Sequence, residues 1–375
     1  MHSLKVALYF SNNNHDSVLA VILKALKKMD CEVMLFTADG IRQEVYSDRE
    51  ILCQYHISNA RFTPFKVLKL LKEADFVIMD QLYSFRELLF FSIFKIPSPN
   101  LFLVHNCNTW FSPQRPRKLV PLLKHLMTQV VKSQVGHFAV AGENMFYHCK
   151  EDLGINNIEL IPFRYGDFDP VQDKPDELYC GGEPIRLVVP GMISERRNYH
   201  LLLDTIAQEE LKNKVELVLL GRPTGEYGLN ILHRAEQLIS KGYTIHFWKE
   251  YIDNATFDAE IRKAHVLFSC FDPLYLTNNG QVEIYGVTKE TGIALLMYNK
   301  AKVGILPASF KQMRSISNQT ISYKNVEELR DILLDIFTGK LDIAHLQSNA
   351  VSNAMTMNMN KIIERLKAAY EVQIN

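Results

Sequence analysis

From Ile185 to Pro223 the chain begins a second time. An apolar strand (Ile185-Arg-Leu-Val-Val-Pro190) runs into a glycine turn (Gly191-Met-Ile-Ser-Glu-Arg-Arg-Asn198), then a helix (Leu201 to Ala207) and a further strand (Val215 to Gly221). Continuous apolar runs of this length are buried parallel strands rather than half-exposed ones. A second such beginning after a long first half means two α/β domains, each with its own core. The turn also has a chemical meaning. A glycine, two arginines and a helix N-terminus gather backbone N–H groups, a helix dipole and fixed positive charge at one point, as a phosphate requires. That point is expected to face a cleft between the domains.

Length supports the division, because 375 residues exceed one ordinary core and suit two. The 42 basic and 42 acidic residues cancel, which excludes a chain that holds nucleic acid through its overall charge. Six cysteines (31, 53, 107, 149, 180 and 270) lie far apart without a C-x-x-C pair. Reduced thiols of a cytoplasmic protein are expected, with no metal site and no disulfide framework. No apolar run reaches the roughly 20 residues of a membrane span, and the first strand starts almost at the N-terminus, so a cytoplasmic or peripheral protein is expected.

The first half alternates strand and helix: strand Lys5 to Phe10, helix Ser17 to Lys28, strand Cys31 to Thr37, helix Pro64 to Ala74, strand Phe76 to Met79, strand Asn100 to His105, helix Met127 to Gln134, strand His137 to Ala141 and a last stretch Asn157 to Pro162. This order predicts a parallel sheet wound with helices through right-handed crossovers. The segment Arg164 to Pro184 is rich in Gly, Pro and Asp without a period, and reads as a linker. The second half repeats the alternation through helices at 227–241, 256–263 and 291–298 and strands at 243–247, 266–269 and 303–306. Two amphipathic helices follow, Asn325 to Phe337 and Met359 to Tyr370. The expected domains are 1–165, a linker 166–184, a second domain 185–355, and a terminal helix in 356–375 that crosses back to the first.

With this order in place, the chain resembles the GT-B glycosyltransferases, and most nearly their retaining family-4-like branch. Ile158-Glu-Leu-Ile-Pro-Phe-Arg-Tyr-Gly-Asp-Phe-Asp-Pro170 is similar to the family's "vipnGvd" segment, and the loop Gly191 to Asn198 to its "GRl…eKn" loop. Val215 to Gly221 resembles its "l.ivG" strand, and Ala301-Lys-Val-Gly-Ile-Leu-Pro307 its "GkPvias" strand. The resemblance covers nearly the whole chain and implies an α/β GT-B fold, two Rossmann-like domains facing each other across a cleft. It further implies a nucleotide-sugar donor held mainly by the second domain, transfer to a glycan or lipid-linked glycan with retention, a place in cell-surface polysaccharide synthesis, and no cofactor or metal. Two departures stand out. Met192 occupies the place of the family's loop arginine, with Arg197 at its lysine, and Thr288 and Leu296 stand where the Glu-x7-Glu pair belongs.

Transfer from a nucleotide-sugar builds negative charge on the departing diphosphate and oxocarbenium character on the sugar. Arg196 and Arg197 meet the first demand, although neighbouring loop arginines are also ordinary solvated surface. The run Glu283-Ile-Tyr-Gly-Val-Thr-Lys-Glu-Thr-Gly292 offers Lys289 to phosphate, Glu290 and Glu283 as acids, and Thr288, Thr291 and Gly292 at a helix start, where plain capping explains the threonines equally well. His105 follows a buried strand at the sheet's C-terminal edge, where α/β sites form. By the resemblance it touches the donor sugar; as a bare residue it is also a satisfied core histidine. Glu290 is expected opposite His105 across the cleft. Asn106 and Asn108, with Asn13 and His15 of the loop Phe10 to Ser17, are acceptor-side candidates, and Arg222 a further donor contact.

Two rivals share the architecture. A nucleotide-sugar 2-epimerase would consume donor without an acceptor, and a non-catalytic two-lobed sugar or nucleotide binder would account for the missing glutamate pair but not for the basic loop. A last asymmetry concerns surfaces. From Leu88 to Gly142 there is no Asp or Glu, while Lys95, Arg115, Arg117, Lys118, Lys124 and Lys132 stand among apolar runs. Either these are core helices with solvated basic ends, or they meet an anionic membrane on the cytoplasmic face.

Overall fold

The computed structural model describes residues 3–11, 16–38, 51–57, 64–82, 84–112, 118–163, 168–174, 178–277 and 281–374. The chain forms two compact units. Unit one comprises Met1–Gly166, Leu276–Glu290 and Asn358–Asn375; unit two comprises Asp167–Tyr275 and Thr291–Met357.

Unit one is built from β1 (Lys5–Phe10), α1 (Asp16–Lys28), β2 (Glu32–Ala38), β3 (Ile51–Ile57), α2 (Pro64–Leu71), β4 (Phe76–Met79), α3 (Phe85–Ile93), β5 (Asn100–Leu103), α4 (Cys107–Phe111), α5 (Leu119–Lys132), β6 (His137–Val140), α6 (Glu143–Tyr147) and β7 (Ile158–Leu160). Its seven strands lie in the order β3-β2-β1-β4-β5-β6-β7, and all are parallel. The run Val6 to Phe10 is wholly buried, as a strand covered on both faces must be. Strand order reverses between β1 and β4, and such a switch point is where open α/β sheets bind ligands.

Unit two continues with β8 (Ile185–Pro190), α7 (Tyr199–Ile206), β9 (Val215–Leu220), α8 (Gly225–Ser240), β10 (Thr244–Phe247), α9 (Asn254–Lys263) and β11 (Val266–Phe268). β12 (Leu274–Leu276) follows, and β13 (Val282–Ile284) lies in unit one. Then come α10 (Gly292–Asn299), β14 (Val303–Pro307), β15 (Thr320–Tyr323), α11 (Val326–Phe337) and α12 (Ile343–Thr356). The six-stranded parallel sheet has the order β10-β9-β8-β11-β14-β15, with its switch point between β8 and β11. The last helix, α13 (Met359–Ile374), belongs to unit one, where Gln373 Oε1 accepts the Asn100 N–H at 2.9 Å and Tyr370 packs edge-on against Phe76.

Three departures from the sequence expectation have physical reasons. The stretch read as a linker is part of unit two in its described residues: Asp173 is buried on Lys300 (3.1 Å), and the Tyr179 N–H donates to Gln347 Oε1. Residues 276–290, expected in the second domain, pack with unit one, because Glu283 is tied to α4. Strands β3 and β15 and helix α12 were not anticipated. Ile51-Leu-Cys-Gln-Tyr-His-Ile57 and Thr320-Ile-Ser-Tyr323 mix polar residues in short edge strands, which carry no continuous apolar run.

Candidate functional site

Strands β4 and β5 lie side by side, and each releases its polar residues at the C-terminal edge of the unit-one sheet. From β4 come Asp80 and Gln81, both fully buried; from β5 come His105 and Asn106. His105 Nε2 lies 2.9 Å from Asp80 Oδ1. The Gln81 Oε1 accepts the backbone N–H of His105 (2.9 Å) and of Asn106 (3.2 Å), so one side chain fixes the turn that presents the imidazole. Phe163 meets the ring edge-on at 5.6 Å. A carboxylate on Nε2 holds the proton there and makes Nδ1 the acceptor nitrogen of the neutral ring. Neither Asp80 nor Gln81 was picked out from sequence. The signal available was a carboxylate directly after the apolar run Phe76-Val-Ile-Met79.

The segment 281–290 is clamped to α4. The Glu283 carboxylate, fully buried, accepts from the Thr109 N–H (2.7 Å), the Thr109 hydroxyl (2.8 Å) and the Asn108 N–H (3.2 Å), and so caps the helix. Lys289 Nζ donates to Asn106 Oδ1 at 2.6 Å, and Thr288 Oγ1 accepts the Ile284 N–H. The Asn108 amide donates to the Val282 carbonyl, and its oxygen lies 3.2 Å from His148 Nε2. Glu290 is buried beside Gly142, the cap of α6. His105, Asn106, Asn108, Glu283, Thr288, Lys289 and Glu290 therefore all belong to unit one. The expectation that His105 and Glu290 come from different domains is corrected by the packing of 276–290. Glu283 and Thr288 have the geometry of helix and turn anchors. Asn13 and His15 lie outside the described residues.

In unit two Gly191, Arg196 and Arg197 lie on the turn after β8, at the switch point, while Arg222 follows β9 and Thr291 and Gly292 open α10. Gly191 follows β8 with φ +99°, and a side chain there would collide with the Arg197 guanidinium, which lies over the glycine and donates to the Pro190 carbonyl. A Cβ on Gly221 would come within 2.1 Å of the Gly191 carbonyl oxygen, so the turns after β8 and β9 touch backbone to backbone. The Ile193 N–H donates to the Arg222 carbonyl across the same contact, and the Arg222 side chain is exposed. From β11 the Cys270 carbonyl accepts the Asn198 N–H at 2.7 Å, and Asn198 caps α7 through Leu201. Burial pushes the Cys270 thiol up to about 12 although Arg197 draws it down, so it stays neutral. Arg196 stacks over the Tyr275 ring at 5.2 Å. Thr291 caps α10 by accepting the Ile293 N–H, and the space where a Gly292 side chain would stand is open.

This arrangement is suited to an anion at the unit-two corner, where Arg197 lies over the glycine turn, and to hydroxyl chemistry at the buried His105–Asp80 pair. Among the described residues no group of His, Cys, Asp and Glu could hold a metal ion, and no helix is long and apolar enough to cross a membrane.

No protein-family model matches the chain, and no curated protein matches it in sequence. Its fold is that of solved glycosyltransferases. The chain is similar to a glycosyltransferase from Rickettsia africae (TM-score 0.68, 13% identity, 100% of both chains). It is similar also to Anabaena Alr3699/HepE in complex with UDP and glucose (0.65, 11%, 99% of this chain and 100% of that one). A third likeness is to sucrose-phosphate synthase from Thermosynechococcus elongatus (0.61, 14%, 99% of both). The GT-B fold with two Rossmann-like domains, expected from the order of motifs, is the fold found.

Proposed function

We propose that the chain is a glycosyltransferase that moves a sugar from a nucleotide-sugar to a glycan or lipid-linked glycan presented at an anionic membrane surface, with retention and without a metal or cofactor. The observation that carries the reading is the unit-two corner, where Arg197 lies over Gly191 at the switch point of a Rossmann-like sheet. Anabaena HepE, whose fold the chain shares, is solved with UDP, with UDP and glucose, and with UDP-glucose.

In this reading unit two holds the diphosphate. Arg197, with Arg196 beside it, neutralises the charge that grows on the leaving group. Unit one supplies the sugar-directed groups. Asp80 orients the imidazole so that His105 Nδ1 accepts from a sugar hydroxyl, and Glu290 is the acid assigned to the sugar's positive character.

Thermal-shift screening against UDP, GDP, ADP and CMP tests the reading, because a ligand of the folded state raises the midpoint by an amount that grows with the logarithm of its affinity. One nucleotide is expected to stand clear of the others. No shift with any nucleotide would overturn the proposal. Consumption of the selected nucleotide-sugar without acceptor would turn it toward the 2-epimerase reaction.

A further inference from the structure

We infer that unit two carries a binding pocket for a neutral saccharide, one or two pyranose rings without phosphate or carboxylate. The pocket lies between the edge strand β10 and α9 and is lined by Arg186, Ile245, His246, Phe247, Trp248 and Glu260. Its volume is about 510 Å³, within the range of small-ligand sites. On β8, Arg186 stands five places before Gly191, on the order of 16 Å along the strand, so the pocket is at the other end of the sheet from the anion corner. The inference does not depend on sugar transfer and concerns binding alone.

The polar side of the pocket is a charge network that cancels. The Arg186 guanidinium bonds Glu216 of β9 through Nη1 and Glu260 of α9 through Nη2, and Lys263 Nζ donates to the other Glu260 oxygen at 3.0 Å. The parallel register sets Arg186 beside Glu216 and Glu216 beside Thr244; His246, two residues further on the same face of β10, lies 2.9 Å from Glu216. Two cations therefore meet two carboxylates. A phosphate or carboxylate ligand would face Glu216 and Glu260, and an ammonium would face Arg186 and Lys263, so neither sign of charge is favoured. What remains is hydrogen bonding of both kinds. Carboxylate oxygens accept more than one hydrogen bond each, and the Trp248 indole N–H, which meets no acceptor among the described residues, is a donor. Groups that donate and accept together are hydroxyls.

The other side is aromatic. Trp248, directly after β10, is half-buried, so the fold holds the indole while part of it lines the pocket. A pyranose has a face of C–H groups and a rim of hydroxyls; the face suits the indole and the rim suits the charge network. A flat heteroaromatic ring would also lie on the indole but brings few hydroxyls, and an open-chain polyol brings hydroxyls without an apolar face.

Trp248 and Trp110 are the two tryptophans of the chain, and Trp110 is buried in unit one, so tryptophan emission reports on this pocket. Titration of the full chain with maltose, cellobiose, methyl glucoside and methyl glucuronide, read by emission and by saturation-transfer NMR, tests the inference, with glycerol and benzyl alcohol alongside. At least one neutral sugar is expected to shift the emission with a millimolar dissociation constant and to take up saturation on its ring C–H protons. Glycerol and benzyl alcohol are expected to bind far more weakly, and methyl glucuronide no more tightly than methyl glucoside. Trp248→Ala, read by NMR, should weaken the sugar at least about tenfold, and Trp248→Phe, which keeps a smaller ring, by less, with circular dichroism that of the parent. His105→Ala should leave the affinity unchanged. No binding of any neutral sugar, undiminished binding in both Trp248 variants, a preference for the glucuronide, equal binding of glycerol or benzyl alcohol, or loss of binding in His105→Ala would each overturn it.

Discussion

His105 Nε2 and Asp80 Oδ1 lie 2.9 Å apart with both side chains buried, one at the end of β5 and the other at the end of the neighbouring β4. A carboxylate so placed has one evident effect on the ring, to hold its proton and its orientation. Asp80→Asn keeps the shape but lets the ring turn over or exchange tautomers. Turnover with the true acceptor should fall at least about tenfold, the scale of one lost charge-assisted hydrogen bond, while nucleotide affinity in calorimetry stays that of the parent. His105→Ala should lose at least as much, and adding Asp80→Asn to it should cost little more. Full turnover in both single variants would remove the pair from the chemistry.

Arg197 is expected to carry the diphosphate. Arg197→Ala should weaken the selected nucleoside diphosphate by about 1.5 to 3 kcal/mol, and Arg197→Lys by less, since a lysine keeps the charge but not the planar fork. The guanidinium also donates to the Pro190 carbonyl, so some loss of thermal stability accompanies the change. The affinity measurement is the discriminating one, and an unchanged dissociation constant would show that the anion lies elsewhere.

Most of the sheet architecture was legible because parallel strands buried on both faces are written as unbroken apolar runs, Val6 to Phe10 and Leu187 to Pro190 among them. The Gly191 turn was legible for a related reason: a close approach of two backbones leaves no room for a side chain, and the glycine records it. Asp80 and Gln81 were not legible, because a single polar residue after a strand looks the same whether it caps a turn or orients an imidazole. Nor was the placement of Glu283. Its three bonds to α4 join positions some 175 residues apart, and no local pattern encodes such a pairing.

Lys302 gives a pH signature. Its ammonium is buried in unit two and donates to the carbonyls of Arg262 and Ala264; burial pulls it down to about 8 from 10.5, Asp173 opposing and Lys300 adding. The unfolded chain therefore binds more protons than the folded one between pH 8 and 10.5. Stability contributed by this group rises across that window as the buried charge is discharged, by on the order of 3 kcal/mol in all. Thermal midpoints of the parent, corrected by those of Lys302→Met, should climb from pH 8 to pH 10. Parallel profiles for the two proteins would show that the lysine titrates normally.

The outer surface of unit one should bind anionic bilayers. Helix α5 turns Leu119 (70% exposed), Leu123, Leu126 and Val130 outward in one stripe, and α3 adds Leu89 and Ile93 (65%). A core helix would bury such a row, so the reading of 119–127 as simply a core helix fits only its other side, where Met127, Thr128 and Val131 are covered. Lys118 stands at the start of the stripe and Lys132 at its end, and the absence of Asp and Glu from Leu88 to Gly142 leaves their charge unopposed within that segment. Arg115 and Arg117 lie outside the described residues. Each cation near an anionic surface contributes on the order of 1 kcal/mol, and the apolar row adds burial in the headgroup region, so attachment should be weak and sensitive to salt. Sedimentation with phosphatidylserine-containing and neutral vesicles at two salt concentrations measures it. Replacing Leu119, Leu123 and Leu126 together by Gln removes the apolar contribution without touching the covered side of the helix, and should lower the bound fraction at both salts. Equal partition of parent and triple variant, or no preference for anionic vesicles at low salt, would mean that the stripe meets something other than lipid.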